Sequence, residues 1–284
     1  MPLMAIRDVS LNVEVVGHGE PLVLMHGGPG ADLWSLAPFR RLADRFTLVF
    51  YDHRCNGRSV GTPVESMTWE NLTADPDALR ETLGFERWSV LGHSFGGNVA
   101  LEYALRFPER VSQLILLDSG GDTWWPRENG PRLLAARGFD PKIVRLARRF
   151  HHGHIKPKEF LPSLLRLGTA YNPHTGIVDV VHGLIQGEWR SRPRPEALIW
   201  AAPNLLRGWN IMDRLGEIRA PTLVMAGRED YLYPPEHQAS LAAGIPDARL
   251  RIVDRAGHNP HDEQTDEVME EVLDFLGARE AIHA

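Results

Sequence analysis

Residues Gly92-His93-Ser94-Phe95-Gly96 constrain this chain more than any other stretch. An apolar run, Trp88-Ser89-Val90-Leu91, leads into them, and Asn98-Val99-Ala100-Leu101-Glu102-Tyr103-Ala104 follows with a helical pattern. The spacing predicts a strand, a sharp turn and a helix. A turn this tight has no room for side chains at its flanking positions, and both are glycine. Its tip exposes one side chain, that of Ser94, as a candidate nucleophile.

A serine hydroxyl is a weak nucleophile at neutral pH, so Ser94 needs a base and an acid to orient that base. For a serine on such a turn the chain order is serine, acid, histidine. Ala220–Gly227 reads as a buried strand and is followed by Arg228-Glu229-Asp230. Ala248–Val253 reads as another and is followed by Ala256-Gly257-His258. Asp230 and His258 therefore fall in loops past strand ends, in the required order. Glu229 and Asp118 are rival acids, and His261 is a rival base at the start of the last helix. Acyl transfer also needs donors for a developing oxyanion. The run Pro21–Met25 ends in His26-Gly27-Gly28-Pro29-Gly30, a turn whose backbone N–H groups are unobstructed. The expected donors are the N–H groups of Gly28 and Phe95.

On these residues the chain resembles the α/β-hydrolase superfamily along nearly its whole length. His26-Gly27-Gly28-Pro29-Gly30 is similar to the proline iminopeptidase branch and its esterase and lactonase relatives. So is Tyr51-Asp52-His53-Arg54-Cys55-Asn56-Gly57-Arg58-Ser59, beside that branch's Asp-x-Arg-Gly-x-Gly-x-Ser. Cys55 stands where the branch has glycine. The Trp-x-x-Trp-Glu pattern of an iminopeptidase cap is absent, and Glu188-Trp189 is a different arrangement. That counts against an amine-binding glutamate and against aminopeptidase activity.

The rest of the chain suits this reading. Leu3–Arg7 and Leu11–Val16 read as antiparallel strands. Leu22–Met25, Thr47–Tyr51, Trp88–Leu91, Val111–Leu117, Thr222–Ala226 and Leu250–Val253 read as mostly buried parallel strands. Helical patterns at about 33–44, 69–84, 94–106, 235–243 and 262–278 alternate with them, which predicts a doubly wound, mostly parallel eight-stranded sheet. Residues near 120–212 break the alternation with helices, prolines and tryptophans. They read as a helical cap inserted after the sixth strand, between core segments 1–119 and 213–284. That segment is basic: residues 121–210 hold 14 Lys and Arg against 7 Asp and Glu, in a chain of net charge −6.

Composition excludes other classes. The net charge gives no basis for nucleic-acid binding. No apolar run approaches the ~18 residues of a membrane span. The amino terminus lacks a basic region followed by an apolar stretch, so no signal peptide is expected. A single cysteine, Cys55, forbids an internal disulfide, fits a reducing cytoplasm and makes a thiolate zinc site unlikely. Cys55 reads as a packed loop thiol. His151, His152 and His154 lie in the basic segment without a cysteine or well-spaced acid, and read as solvated rather than metal-binding. No cofactor or metal is expected.

The expectation is a serine hydrolase that cleaves a small carboxylic ester or lactone through an acyl-enzyme. The alternatives are an aminopeptidase of the iminopeptidase type, a carbon–carbon bond hydrolase, or a non-catalytic receptor on the same fold. His26, Gly27, Trp124, Trp125, Glu188 and Trp189 are candidate pocket residues, with His26 also read as a loop-holding residue. The basic cap suits an uncharged or anionic substrate.

Overall fold

The computed structural model describes residues 3–175 and 191–277. Eight strands form one sheet: β1 Leu3–Ile6, β2 Val9–Gly17, β3 Glu20–Met25, β4 Phe46–Tyr51, β5 Trp88–His93, β6 Val111–Leu117, β7 Thr222–Gly227 and β8 Ala248–Val253. Their order is β1-β2-β4-β3-β5-β6-β7-β8. β2 runs antiparallel to β1 and β4, and the remaining neighbours are parallel. β5 and β7 are buried along their whole length and β3 from Leu22 to Met25, because helices cover both faces of the sheet.

β8 departs from the expected buried strand. It is an edge, and Arg249, Leu250 and Arg251 are exposed. Arg249 and Arg251 instead pair with Asp274 and Glu267. Such charged side chains also make a sheet edge a poor template for further strands.

The helices on the sheet are α1 Trp69–Thr82 and α2 Phe95–Arg106. Between β6 and β7 lie α3 Gly130–Ala136, α4 Pro141–His151, α5 Phe160–Tyr171 and α6 Pro195–Asn204. After β7 come α7 Pro235–Gly244, α8 Pro260–Glu263 and α9 Thr265–Phe275. Two helix expectations need correction. Residues Leu33–Leu42 form a 3-10 helix rather than an α-helix, with Pro38 inside and a non-helical Leu36. The expected continuous helix at 262–278 is broken at Gln264 (φ −133°) into α8 and α9. No described helix is long and apolar enough to cross a membrane.

The insert after β6 builds an apolar cluster of its own. Leu134, Ala147, Phe150, Phe160, Leu167 and Leu198 pack there with Tyr231, Leu232 and Tyr233 from the loop after β7. The loop that carries Asp230 is thus clamped between sheet and insert. Topology places the site as well. The chain steps one way from β3 to β4 and the other way from β4 to β5, so a crevice opens beyond the carboxyl ends of β3 and β5, where open α/β sheets bind ligands.

Candidate active site

Ser94 sits on the turn between β5 and α2 with φ 53° and ψ −120°. Both flanking glycines are sterically required. A Cβ on Gly96 would lie 1.9 Å from Met25 O, and one on Gly92 would lie 2.5 Å from Gly96 O. The turn is therefore pressed against the end of β3, and the glycine run that follows β3 arrives beside the serine. A Cβ on Gly27 would be 3.3 Å from Ser94 Cβ.

His258, past β8, places Nε2 2.9 Å from Ser94 Oγ, and its Nδ1 lies 2.9 Å from Asp230 Oδ2. Asp230 is fully buried past β7, and its Oδ1 accepts the Leu232 N–H at 2.8 Å. The structure brings the three expected residues into one hydrogen-bonded line. Glu229 points elsewhere and pairs with His174. His261 is buried, stacks on Phe39 and reaches Ser35 O.

Asp118 lies behind the line. Its Oδ1 accepts the Gly227 N–H at 2.9 Å. Ligand atoms of Asp118, Asp230 and His258 all fall within 4.8 Å of one another, the one such group among the described residues. Burial, and then the charge of Asp230, push the Asp118 carboxyl well above its ordinary pKa. A His258 already bonded on both ring nitrogens is poorly arranged to hold a metal.

The glycine turn after β3 is held from below. His26 is fully buried, its Nε2 accepts the His53 N–H at 3.1 Å, and its Nδ1 lies 2.7 Å from Gly27 O. The proton is therefore on Nδ1, and burial lowers the pKa of this ring. The Asp52–Ser59 motif supplies further support. Asp52 accepts the N–H groups of Leu33 and Arg58, and Asn56 Oδ1 accepts the Gly30 N–H at 2.6 Å. Arg54 makes a buried two-pronged pair with Asp75. Cys55 has φ 63°, which explains why glycine is favoured there, and its Sγ lies 3.3 Å from Pro63 O. The Phe95 N–H is the first of α2 and has no intrahelical acceptor. The Gly28 N–H has no acceptor among the described residues.

Several supports were not foreseen. His93 Nε2 lies 2.9 Å from His258 O, the Tyr171 carbonyl accepts the His258 N–H at 2.7 Å, and Glu263 accepts the Gly257 N–H at 2.6 Å. His151, expected to be solvated, has an enclosed ring, although the residue keeps some exposure. It sits 3.0 Å from Tyr231 Oη. Burial, then the neighbouring His258, push its pKa down to about 3. Kept neutral, it adds no positive charge opposite a protonated His258. His152 also has partners: it reaches Arg148 O and Glu128.

The pocket candidates divide. Gly27 and His26 belong to the turn beside Ser94, with His26 as a brace. Trp124 is 50% exposed, and Trp125 packs edge-on to it and to His237. Glu188 and Trp189 lie outside the described residues.

A family model for the α/β hydrolase fold matches residues 20–265. The chain belongs to the α/β-hydrolase family. It is 29% identical over 286 residues to a 2-hydroxy-6-oxo-6-phenylhexa-2,4-dienoate hydrolase of Comamonas testosteroni, covering 96% of this chain and 93% of that one. A 2-hydroxy-6-oxononadienedioate/2-hydroxy-6-oxononatrienedioate hydrolase of the same species is 30% identical, with 95% and 92% covered. Among solved structures, the proline iminopeptidase of Mycobacterium smegmatis superposes with a TM-score of 0.76 at 25% identity, covering 97% of each chain. Relatives of this kind are hydrolases, and this α/β-hydrolase is an enzyme of that broad class.

Proposed function

We propose that this α/β-hydrolase cleaves a small carboxylic ester or lactone by two-step acyl transfer. The observation that carries the reading is the Ser94–His258–Asp230 line, with 2.9 Å at each link. Ser94 Oγ attacks the carbonyl carbon as His258 Nε2 takes its proton. Asp230 fixes the tautomer and stabilises the imidazolium. The N–H groups of Gly28 and Phe95 receive the oxyanion, each worth about 3–4 kcal/mol in comparable sites. His258 then protonates the leaving alkoxide and activates the water that frees the acid. The helical insert, residues 120–212, serves as a lid over the crevice. The reaction needs no cofactor.

Ester or lactone is preferred to amide because an aminopeptidase must hold the substrate ammonium. The described acids of the insert are engaged elsewhere: Asp122 with His237, Glu128 with His152, Asp140 with the Lys142 N–H, Glu159 with Arg149, and Glu196 with Arg194. A second reading is favoured by the similarity to dienoate hydrolases. The substrates in those names carry no ester, so water must cleave a carbon–carbon bond beside the ketone, and the same line of residues suits that chemistry.

The test is turnover of a short nitrophenyl ester, a lactone, a 2-hydroxy-6-oxodienoate and a prolyl-arylamide by the wild type and Ser94→Ala. Ester or lactone hydrolysis that vanishes in the variant supports the proposal. Dominant Ser94-dependent cleavage of the dienoate moves the assignment to carbon–carbon hydrolysis, and dominant arylamide turnover moves it to a peptidase.

A further inference from the structure

The insert carries a cavity of about 700 Å³ that none of Ser94, Asp230, His258, Gly28 or Phe95 lines. Its size is that of a small-molecule site. Two arginines, Arg127 and Arg207, reach it from opposite ends of the insert's sequence. Neither has a carboxylate partner among the described residues. Among the described residues, Arg127 donates only to the Ala202 carbonyl, and Arg207 makes no hydrogen bond or ion pair.

The acids at the same wall are already committed. Asp122 accepts the N–H groups of Trp124 and Trp125 through Oδ1 and meets His237 through Oδ2. Glu128 meets His152, whose other ring nitrogen faces the Arg148 carbonyl. The cavity is therefore left with two guanidiniums that bond no carboxylate among the described residues. Burial holds the Arg127 pKa below its ordinary value against the pull of Glu128, and Arg207 adds a smaller push the same way. An anion resting in the cavity would meet both guanidiniums.

A flat apolar surface adjoins the two cations. Trp124 is half exposed, which is unusual for so large an apolar ring, and Trp209 lines the same cavity. Guanidiniums select carboxylate geometry, while an indole face selects a flat ring.

We propose that this cavity binds a small organic anion with a flat apolar body, an aromatic carboxylate in kind, its charge at Arg127 and Arg207 and its ring on Trp124. The site is distinct from the Ser94 centre and does not depend on the activity proposed above.

Calorimetric titration of the whole protein with naphthoate, and with the uncharged naphthalene methanol, tests this without any turnover. Saturable one-to-one binding of naphthoate is expected, at least about ten-fold tighter than the neutral analogue. Arg207→Gln is the cleanest variant, because this exposed side chain bonds nothing in the fold. It should weaken naphthoate at least about ten-fold and leave the neutral analogue unchanged. Trp124→Ala should weaken both. Absence of saturable binding, equal affinity for the two probes, or affinity untouched by Arg207→Gln would each overturn the proposal.

Discussion

The Tyr171 carbonyl at the end of α5 accepts the backbone N–H of His258 at 2.7 Å. One residue earlier, a Cβ on Gly257 would lie 2.3 Å from that same oxygen. The insert thus seats directly on the loop that aims His258 at Ser94, and only glycine permits the approach. Gly257→Ala should push loop and helix apart. A displacement near 1 Å in such a site costs about 100-fold. The expected result is a kcat loss of that order with KM within a few fold, read from ester hydrolysis. An unchanged kcat would show that the contact does not position His258.

Asp230 and Asp118 are both buried carboxyls, yet their bonds differ. Asp230 faces His258 Nδ1, and Asp118 faces the Gly227 N–H. Asp230→Asn should therefore lower kcat by about four orders of magnitude, as expected when the histidine tautomer is lost. Asp118→Asn should stay within a few fold. The pH profile adds a sharper sign. The Asp118 pKa is raised, so its proton is held to higher pH than an ordinary carboxyl's and is lost as pH rises through that raised value. Wild type should then lose activity across that rise as a second negative charge appears beside Asp230. Asp118→Asn has no such proton and should hold its activity there. The reverse ranking of the two variants would move the acid role to Asp118.

The line of Ser94, Asp230 and His258 was legible because each follows a strand end and the order along the chain is fixed by the sheet. Glycines at 92 and 96 marked a tight turn that the structure then displays as clashes awaiting any Cβ. The supporting contacts were not legible. His93, Tyr171 and Glu263 act through backbone groups far away in sequence, and no periodicity reports a tertiary hydrogen bond. β8 was misread as buried because Leu250 and Ile252 look apolar, although an edge has only one neighbour. The solvated reading of His151 failed for a similar reason: three nearby histidines say nothing about Tyr231, which arrives from 80 residues away.

Cys55 adopts φ 63° in the motif that braces the oxyanion turn, with its thiol among Thr62, Pro63 and Ser66 rather than beside any histidine. Cys55→Gly should relieve the left-handed backbone and give up a small buried side chain. These effects oppose each other at roughly 1 kcal/mol each. Ester turnover within a few fold and a thermal midpoint within a few degrees are expected. An activity loss matching that of Ser94→Ala would make the thiol part of the chemistry.

His151 gives a prediction about stability in acid. Its folded pKa is pushed down to about 3, against an ordinary value near 6.5. At pH 7 both folded and unfolded forms are neutral, and the residue adds nothing through its charge. As pH falls below about 6.5 the unfolded chain takes up a proton that the folded protein refuses until about pH 3, so stability drains away across that window. His151→Gln keeps a partner for Tyr231 Oη and removes the titration. At pH 7 the variant should be less stable by about 1 kcal/mol, from imperfect packing and a changed hydrogen bond. By pH 4.5 that deficit should shrink or reverse by up to about 2 kcal/mol, which urea unfolding of both proteins at the two pH values would measure. An equal gap at both pH values would mean that the ring accepts its proton freely, and His151 would then face the imidazolium of His258 as a second cation.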